Sequence, residues 1–279
     1  MPPVLTADQH EFAAHAGSFV RGRIEYNVMA SVLEGVLSRD YSDATALFAY
    51  ALDDAGELEY AALRQPPWPM LVSELPRDAG RELVAAWLGT DPGVPGVNGP
   101  PDAARSVAAA WCELTRGVSR CSMREAMHTL DEVLDPPRPA AGGLRLASAD
   151  ERGVLIEWMA AFAREAGVPG AEQAAALVDL RLGQERLFVW DDGAPVSMVG
   201  TAPVVAAVAR VGPVYTPPEH RGRGYAGSAV AAVSRRALAR GARRCVLFTD
   251  LANPTSNKIY AEVGYRRITD WEEHAFERA

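Results

Sequence analysis

The stretch that decides the fold lies at residues 211–227 and reads VGPVYTPPEHRGRGYAG. Its first six residues are typical of a short β-strand, its prolines stiffen a loop, and its glycines form a turn. The turn leads directly into a helix, because Val230, Val233 and Ala237 recur at helical spacing and form one apolar stripe. Gly241 is typical of the residue that follows the last turn of such a helix. These residues therefore predict a strand–turn–helix unit.

The turn has the features of an anion-binding site. The first N–H groups of a helix have no partner within the helix, and the helix dipole adds positive potential there. Gly222 and Gly224 allow the backbone to come close to a ligand, and Arg221 and Arg223 add positive charge. A phosphate or pyrophosphate is the natural ligand of such a turn.

One class of protein with such a turn is the dinucleotide-binding oxidoreductases. Residues 222–227 match their G-x-G-x-x-G pattern, and Asp250 ends the next apolar strand, where that pattern has an acidic residue. However, the five residues 217–221 separate the strand from the first glycine, and only the 52 residues 228–279 follow the turn. Pro213 also interrupts a strand that would be central in that fold. The oxidoreductase is therefore the disfavoured alternative.

A second class fits the residues that follow the turn as well. Residues 221–226, read as Arg-x-x-Gly-x-Ala, resemble the [Q/R]-x-x-G-x-[G/A] signature of the GNAT superfamily of N-acetyltransferases. Residues 245–249 form a continuous apolar run, typical of a strand that is buried on both faces. Residues 253–265 then start a helix with Asn-Pro, contain a Tyr and end in Gly-Tyr, which is similar to the second signature of that superfamily.

The resemblance implies a role for each residue. In the superfamily this turn holds the pyrophosphate of acetyl-coenzyme A, and the preceding strand splays from its neighbour to offer backbone groups to the pantetheine arm and the thioester carbonyl. Asn253 would bond the pantetheine or its surroundings, and Tyr260 would protonate the departing thiolate. The cofactor-binding residues implied in this way are Val214, Tyr215, Thr216, Arg221, Gly222, Arg223, Gly224, Tyr225, Ala226, Gly227 and Asn253, and the implied catalytic residue is Tyr260.

Acetyl transfer to an amine needs a held thioester, a neutral amine, stabilisation of the developing oxyanion and a proton for the thiolate. The reference pKa of tyrosine, ~10, lies above the ~8.5 of a thiol, so the site must bring Tyr260 and the thiolate together and tune them. The general base stays open, because the strand 211–216 contains no carboxylate. Glu165 on an earlier helix and water-mediated deprotonation are alternatives, and a solvated helix face is another interpretation of Glu165.

Composition limits the class of protein further. A length of 279 residues allows one large or two ordinary domains, and the net charge of −8 disfavours non-specific binding to nucleic acid. No apolar run reaches membrane length and no signal-like segment opens the chain, which predicts a cytoplasmic protein without a membrane contact. The three cysteines lack metal-ligand spacing, so we expect neither a metal site nor a disulfide framework. The sequence does not indicate the oligomeric state.

Residues 135–143 contain three prolines followed by two glycines and predict a linker. We therefore expect two domains, 1–137 and 138–279. Their similar order of helices and strands indicates an internal duplication, with coincidence as the rival explanation. Residues 73–80 of the first half have no arginine–glycine turn. The sequence thus predicts an α/β protein with mixed sheets: a GNAT fold in the second half and a degenerate GNAT-like first domain without a cofactor site, which helps to wall the acceptor pocket.

The patterns also predict individual elements. Helices are expected at about 4–16, 28–37, 77–88, 102–115, 150–166 and 171–182. Strands are expected at 46–52, 58–63, 70–72, 187–190, 195–200, 204–209 and 211–216, with strand pairs at about 119–134 and 265–277. Residues 89–101 are expected to form a loop and Asp191-Asp192-Gly193 a hairpin turn.

The function predicted from these observations is an acetyl-coenzyme A-dependent N-acetyltransferase. It would move an acetyl group to a primary amine of a small molecule or peptide by direct attack in a ternary complex. A non-catalytic protein that binds or senses acetyl-coenzyme A is a second possibility, because the strand lacks a carboxylate. The dinucleotide-binding oxidoreductase is the third.

Overall fold

The computed structural model of the protein describes residues 2–38, 45–167 and 170–278. The first half of the chain contains β1 (Val4–Thr6), α1 (Gln9–Gly22), α2 (Asn27–Leu37), β2 (Leu47–Leu52), β3 (Leu58–Arg64), β4 (Met70–Val72), α3 (Ala79–Thr90), β5 (Gly96–Gly99), α4 (Pro101–Thr115) and β6 (Val118–Leu130). The second half contains β7 (Gly143–Leu146), α5 (Arg152–Ala166), α6 (Ala174–Gly183), β8 (Leu187–Asp191), β9 (Pro195–Thr201), β10 (Val208–Tyr215), α7 (Tyr225–Ala239), β11 (Arg244–Asp250), α8 (Pro254–Val263) and β12 (Arg266–Glu277).

The chain divides into two compact units. The first consists of Met1–Glu125 and Thr269–Ala279, and the second of Ala126–Ile268. The division thus falls within β6, whereas the proline–glycine stretch 135–143 lies inside the second unit. Most of the last strand, β12, returns to the first unit. The mixed α/β fold predicted from the sequence is confirmed.

The first unit has the strand order β1-β2-β3-β4-β5-β12-β6. The pair β4–β5 is parallel, and β5 pairs with β12 in the antiparallel direction. Helices α3 and α4 cover one face through Trp87 and Trp111, both fully buried, and Trp111 stacks on Phe276 with ring centroids 4.4 Å apart. On α1, Phe12 stacks on Phe48 of β2 at 4.8 Å.

The second unit has the strand order β6-β11-β10-β9-β8-β7. Strands β7 to β10 pair in the antiparallel direction, and β10 pairs with β11 in the parallel direction. Helix α7 buries Val230 and Val233 against Leu247 of β11 in one cluster. Helices α5 and α6 contribute Met159 and Val178 to a second cluster. The second unit therefore has helices packed on its sheet through two separate apolar cores.

Several predicted elements differ from the structure because distant segments pair with each other. The predicted loop 89–101 contains β5, whose partner β12 lies at the far end of the chain. The predicted strand pairs at 119–134 and 265–277 are the single long strands β6 and β12, and the two strands expected at 204–209 and 211–216 form mainly one, β10. The helix expected at 4–16 begins at Gln9, since Val4–Thr6 pairs with β2.

Within the described ranges, no helix combines the length and the apolar character needed to cross a membrane.

Candidate functional site

The end of β10 separates from its parallel neighbour. The pairing of β10 with β11 covers Val208 to Arg210, and no further ladder joins these two strands. On its other edge β10 stays paired with β9 as far as Tyr215, with a shift of register between Val211 and Val214. Pro213 therefore lies where it interrupts no ladder with β11. This split leaves one backbone edge of β10 available between the two strands.

The turn after β10 presents a row of backbone N–H groups. Gly222 and Gly224 have φ angles of +77° and +83°, the left-handed region that glycine adopts without strain. Ser228 makes the first backbone hydrogen bond of α7, from its N–H to the Gly224 carbonyl at 3.0 Å. Within the described chain, the N–H groups from Gly222 to Gly227 donate to no other group. Such an arrangement at a helix start fits an anion with several oxygens.

The turn is also crowded from one side by the stretch that the sequence identified as a linker. A Cβ at Gly224 would lie 2.7 Å from the carbonyl oxygen of Arg138, closer than a real Cβ contact. The N–H of Ala140 donates to the Ser228 hydroxyl at 2.9 Å, so the stretch is bound to the start of α7. Gly224 is therefore required both by its φ angle and by this close approach, and only the first reason was available from the sequence.

Tyr225 anchors the start of α7 to the hairpin between β8 and β9. Its side chain is buried, and its hydroxyl donates to Asp192 Oδ2 at 2.6 Å. This bond to a carboxylate raises the pKa of Tyr225. The side chain of Tyr225 thus holds the turn in place. The cofactor-binding role that the resemblance implied for Tyr225 is left to its backbone N–H. The sequence identified the Asp191-Asp192-Gly193 turn but not this contact.

Arg221 lies in a hydrogen-bonded group with Glu165 and the end of β10. Its Nη2 donates to Glu165 Oε2 at 2.6 Å, and its Nε donates to the Thr216 carbonyl at 2.9 Å. The Tyr215 hydroxyl donates to the other carboxylate oxygen of Glu165 at 3.0 Å. Burial, followed by this bond to Glu165, raises the pKa of Tyr215. Glu165, which the sequence left open as a base or a solvated residue, therefore contacts the end of β10.

The same strand end is held from β9. The Ser197 hydroxyl is fully buried, donates to the Tyr215 carbonyl at 3.0 Å and lies 2.8 Å from the Thr216 hydroxyl. The sequence contained no signal for Ser197, because its partners are decided by the pairing of β9 with β10. Tyr215 and Thr216 are consequently held by Ser197, Glu165 and Arg221 before any ligand is bound.

Asn253 and Tyr260 lie on α8, which follows β11. The Asn253 side chain accepts a hydrogen bond from the N–H of Ser256 at 3.1 Å, so Asn253 caps the helix as predicted. Tyr260 is partly buried and meets Tyr265 edge to face, with ring centroids 6.2 Å apart. Its hydroxyl makes no hydrogen bond within the described residues, and burial raises its pKa to about 12.

Replacing Asn253 with alanine should lower the free energy of unfolding by about 1 kcal/mol, because the N–H of Ser256 loses its acceptor. Asn253→Asp keeps an acceptor oxygen and should unfold close to the wild type. Denaturant unfolding of both variants, beside a titration with coenzyme A, separates the cap from ligand binding. If the aspartate variant keeps its stability but binds coenzyme A at least severalfold more weakly, Asn253 also contacts the ligand. If both variants bind coenzyme A as tightly as the wild type, the role of Asn253 is limited to capping the helix.

The first unit contains a cluster that no spacing in the sequence indicated. Ligand atoms of Cys121, Glu272 and His274 lie within 4.8 Å of one another. The Glu272 carboxylate is already held by Arg105, at 2.9 and 2.6 Å, and by Arg124 at 3.3 Å. These guanidinium groups lower the pKa of Glu272 and compensate its charge. A cation would therefore have to displace two arginines to use this carboxylate.

Residues 153–265 match the sequence profile of the Acetyltransferase (GNAT) family. This range contains the split of β10, the turn and α8. No curated protein matches the chain at a significant level. The resemblance predicted from the residues at 221–226 and 253–265 is therefore confirmed for the second half of the chain.

Solved structures match the chain over nearly its whole length. One is an acetyltransferase of the GNAT family from Colwellia psychrerythraea, with 13% identity and a TM-score of 0.58, covering 100% of both chains. Another is a GCN5-related N-acetyltransferase from Sphaerobacter thermophilus, with 18% identity and a TM-score of 0.59, covering 99% of this chain and 96% of that one. A tandem GNAT protein from the clavulanic acid biosynthesis pathway has 14% identity and a TM-score of 0.53, covering 99% and 98%. At these identities the likeness shows the fold, and it confirms the predicted tandem architecture.

Proposed function

We propose, from the membership of the C-terminal half of this chain in the GNAT acetyltransferase family, that the protein moves an acetyl group from acetyl-coenzyme A to a primary amine. The acceptor amine attacks the thioester directly in a ternary complex. The observation that supports this most is the row of N–H groups from Gly222 to Gly227, which have no acceptor among the described residues and lie beside the split between β10 and β11. A pyrophosphate at the turn would direct the rest of the ligand into that split.

Bound acetyl-coenzyme A supplies the acetyl group as a thioester. The N–H groups of the turn bind the pyrophosphate, and Gly224 lets the backbone approach it. The free edge of β10 at Val214 and Tyr215 bonds the pantetheine amides and the thioester carbonyl, where an N–H would stabilise the developing oxyanion. Because Ser197 and Glu165 already hold Tyr215, these groups do not need to reorganise during the reaction.

In the reaction a bond forms between the amine nitrogen and the acetyl carbon, and the bond between that carbon and sulfur breaks. The leaving thiolate takes the proton of the Tyr260 hydroxyl, the amine releases a proton to solvent, and solvent returns a proton to Tyr260. A pKa of about 12 keeps Tyr260 protonated at neutral pH, so the donor is always present. Transfer from this acid to a thiolate, whose reference pKa is ~8.5, is uphill on pKa values alone, so it requires direct contact between the Tyr260 hydroxyl and the sulfur.

Calorimetry with acetyl-coenzyme A tests this proposal directly, with NAD as the control ligand. We expect saturable binding of acetyl-coenzyme A, with a dissociation constant of roughly 1 μM to 1 mM, the range of typical substrate constants. We expect no heat from NAD. Release of free thiol in the presence of a panel of primary amines then measures turnover. Binding without turnover on any amine would favour a sensor, and binding of NAD alone would favour the oxidoreductase.

A further inference from the structure

The guanidinium of Arg221 is paired with an anionic side chain, Glu165, next to the proposed phosphate-binding turn. Its backbone adjoins the row of N–H groups, whereas its guanidinium is bonded to the Glu165 carboxylate at 2.6 Å and to the Thr216 carbonyl at 2.9 Å. It also lies 5.7 Å from the centre of the Tyr215 ring. The guanidinium thus compensates the carboxylate at the end of β10, whereas the backbone of the same residue leads into the proposed phosphate site.

The ion pair between Arg221 and Glu165 is weak enough for Arg221 to leave Glu165 for another anion. Both side chains are 47% exposed, so water screens their attraction and the pair adds little stability. A phosphate can bind arginine through two parallel hydrogen bonds, and a pyrophosphate carries a negative charge on each of its phosphates, whereas a carboxylate carries a single charge. A pyrophosphate at the turn should therefore win the competition for Arg221.

Loss of Arg221 would leave Glu165 in a different environment. Within the described part of the chain, the contact that then remains for its carboxylate is the Tyr215 hydroxyl at 3.0 Å. This hydroxyl is neutral, because burial and Glu165 itself raise the pKa of Tyr215. The carboxylate would then carry an uncompensated negative charge at the end of β10, where an ammonium group is the natural partner.

We propose that coenzyme binding draws Arg221 away from its ion pair with Glu165, and that the released Glu165 carboxylate binds the acceptor as an ammonium ion. With the turn empty, Arg221 neutralises Glu165. With the turn filled, Arg221 moves to the phosphate, and Glu165 with the Tyr215 hydroxyl forms the acceptor's binding position beside the thioester. The bound ammonium ion then loses one proton to solvent, and the neutral amine that results attacks the thioester. Glu165 is thereby a positioning residue. This inference rests on the proposed function, since it needs a phosphate ligand at the turn.

The arrangement predicts a coupling between the two substrates. Because both phosphate and Glu165 compete for one guanidinium, coenzyme binding should increase the affinity for a cationic amine. By thermodynamic linkage, the amine should increase the affinity for coenzyme by the same factor.

A double-mutant cycle titrated with coenzyme A by calorimetry tests the competition. Glu165→Gln should tighten coenzyme A binding about three- to fivefold, since Arg221 no longer has to leave a partner. In an Arg221→Gln background the same change should alter binding by less than about twofold. Simple repulsion between Glu165 and phosphate would instead persist in both backgrounds. Such an additive result overturns the inference while leaving the proposed function intact.

The matched control is Asp179→Asn. Asp179 pairs with Arg152 at 2.6 and 2.8 Å, and the two side chains are exposed to a similar extent, 50% and 48%. Removing this carboxylate should leave coenzyme A binding unchanged. If the wild type does not bind coenzyme A at all, the proposed function fails and this inference fails with it.

Butylammonium chloride is the probe for the acceptor position, titrated with and without saturating coenzyme A. We expect its affinity to rise at least about threefold when coenzyme A is present, and the gain to disappear in Glu165→Gln. Equal affinity in the two titrations, or a gain that survives Glu165→Gln, overturns the assignment of Glu165.

Discussion

Gly224→Glu is expected to lower the affinity for acetyl-coenzyme A by at least about 100-fold. Three effects act together at this position. The φ angle of +83° strains any residue with a side chain, at a cost of about 1–2 kcal/mol. A Cβ would also lie 2.7 Å from the Arg138 carbonyl, so the turn must shift. The added carboxylate repels phosphate at a place where the helix dipole favours negative ligands. Calorimetry measures the loss of affinity.

Two alanine variants separate these effects. Gly222 has a similar φ angle of +77°, but a Cβ there would meet no atom of the described residues within 4 Å. Gly222→Ala should therefore show the strain alone, and Gly224→Ala the strain and the clash. Gly153→Ala, on α5 and in open space, should unfold no more easily than the wild type. Thermal unfolding of the three variants measures their stability, so that a loss of affinity can be separated from a loss of folded protein. If Gly224→Glu binds acetyl-coenzyme A as tightly as the wild type, the turn is not part of the binding site.

Tyr260→Phe is expected to reduce kcat by about 10²–10⁴-fold, the usual contribution of a general acid. The change removes one hydroxyl that bonds to no described group, so the fold and the affinity for acetyl-coenzyme A should stay the same. Because burial raises the pKa of Tyr260 to about 12, its proton is retained over the whole neutral range. The activity of the wild type should therefore show no decline due to Tyr260 below about pH 11.

Tyr60→Phe is the matched control for this experiment. Tyr60 is a buried tyrosine of the first unit, its hydroxyl is without a hydrogen bond in the described chain, and burial raises its pKa. Its replacement should leave kcat unchanged. Steady-state rates and coenzyme A titrations of both variants complete the comparison. A Tyr260→Phe enzyme with wild-type kcat would show that the thiolate takes its proton from another donor, such as water.

Much of the second unit was predictable because its signals are local. The helix starts and ends at Asn253, Gly241 and Gly264 depend on residues within one turn, and each is found in the structure with the expected geometry. The buried run 245–249 forms β11, as its apolar character predicted. Strand β5 was missed for the opposite reason, since its short sequence becomes a strand only through pairing with β12.

The partner of Arg221 could not be predicted from the sequence. From the sequence, Arg221 adds positive charge to a phosphate site. In the structure its guanidinium is bonded to Glu165, which is distant in sequence and is brought there by the packing of α5 against the end of β10. No pattern in the sequence indicates which of several carboxylates an exposed arginine contacts.

The sequence by itself determined the strand–turn–helix unit, the glycine conformations of the turn and the resemblance to an acetyltransferase family. These follow from backbone preferences and from N–H groups that lack a partner, which depend on a few neighbouring residues. Only the packed structure shows that the Arg138 carbonyl lies close to Gly224, that Ser197 bonds the end of β10, and that Arg221 pairs with Glu165. Those contacts join residues that are far apart in the chain, and they exist only because strands and helices pack in one particular order.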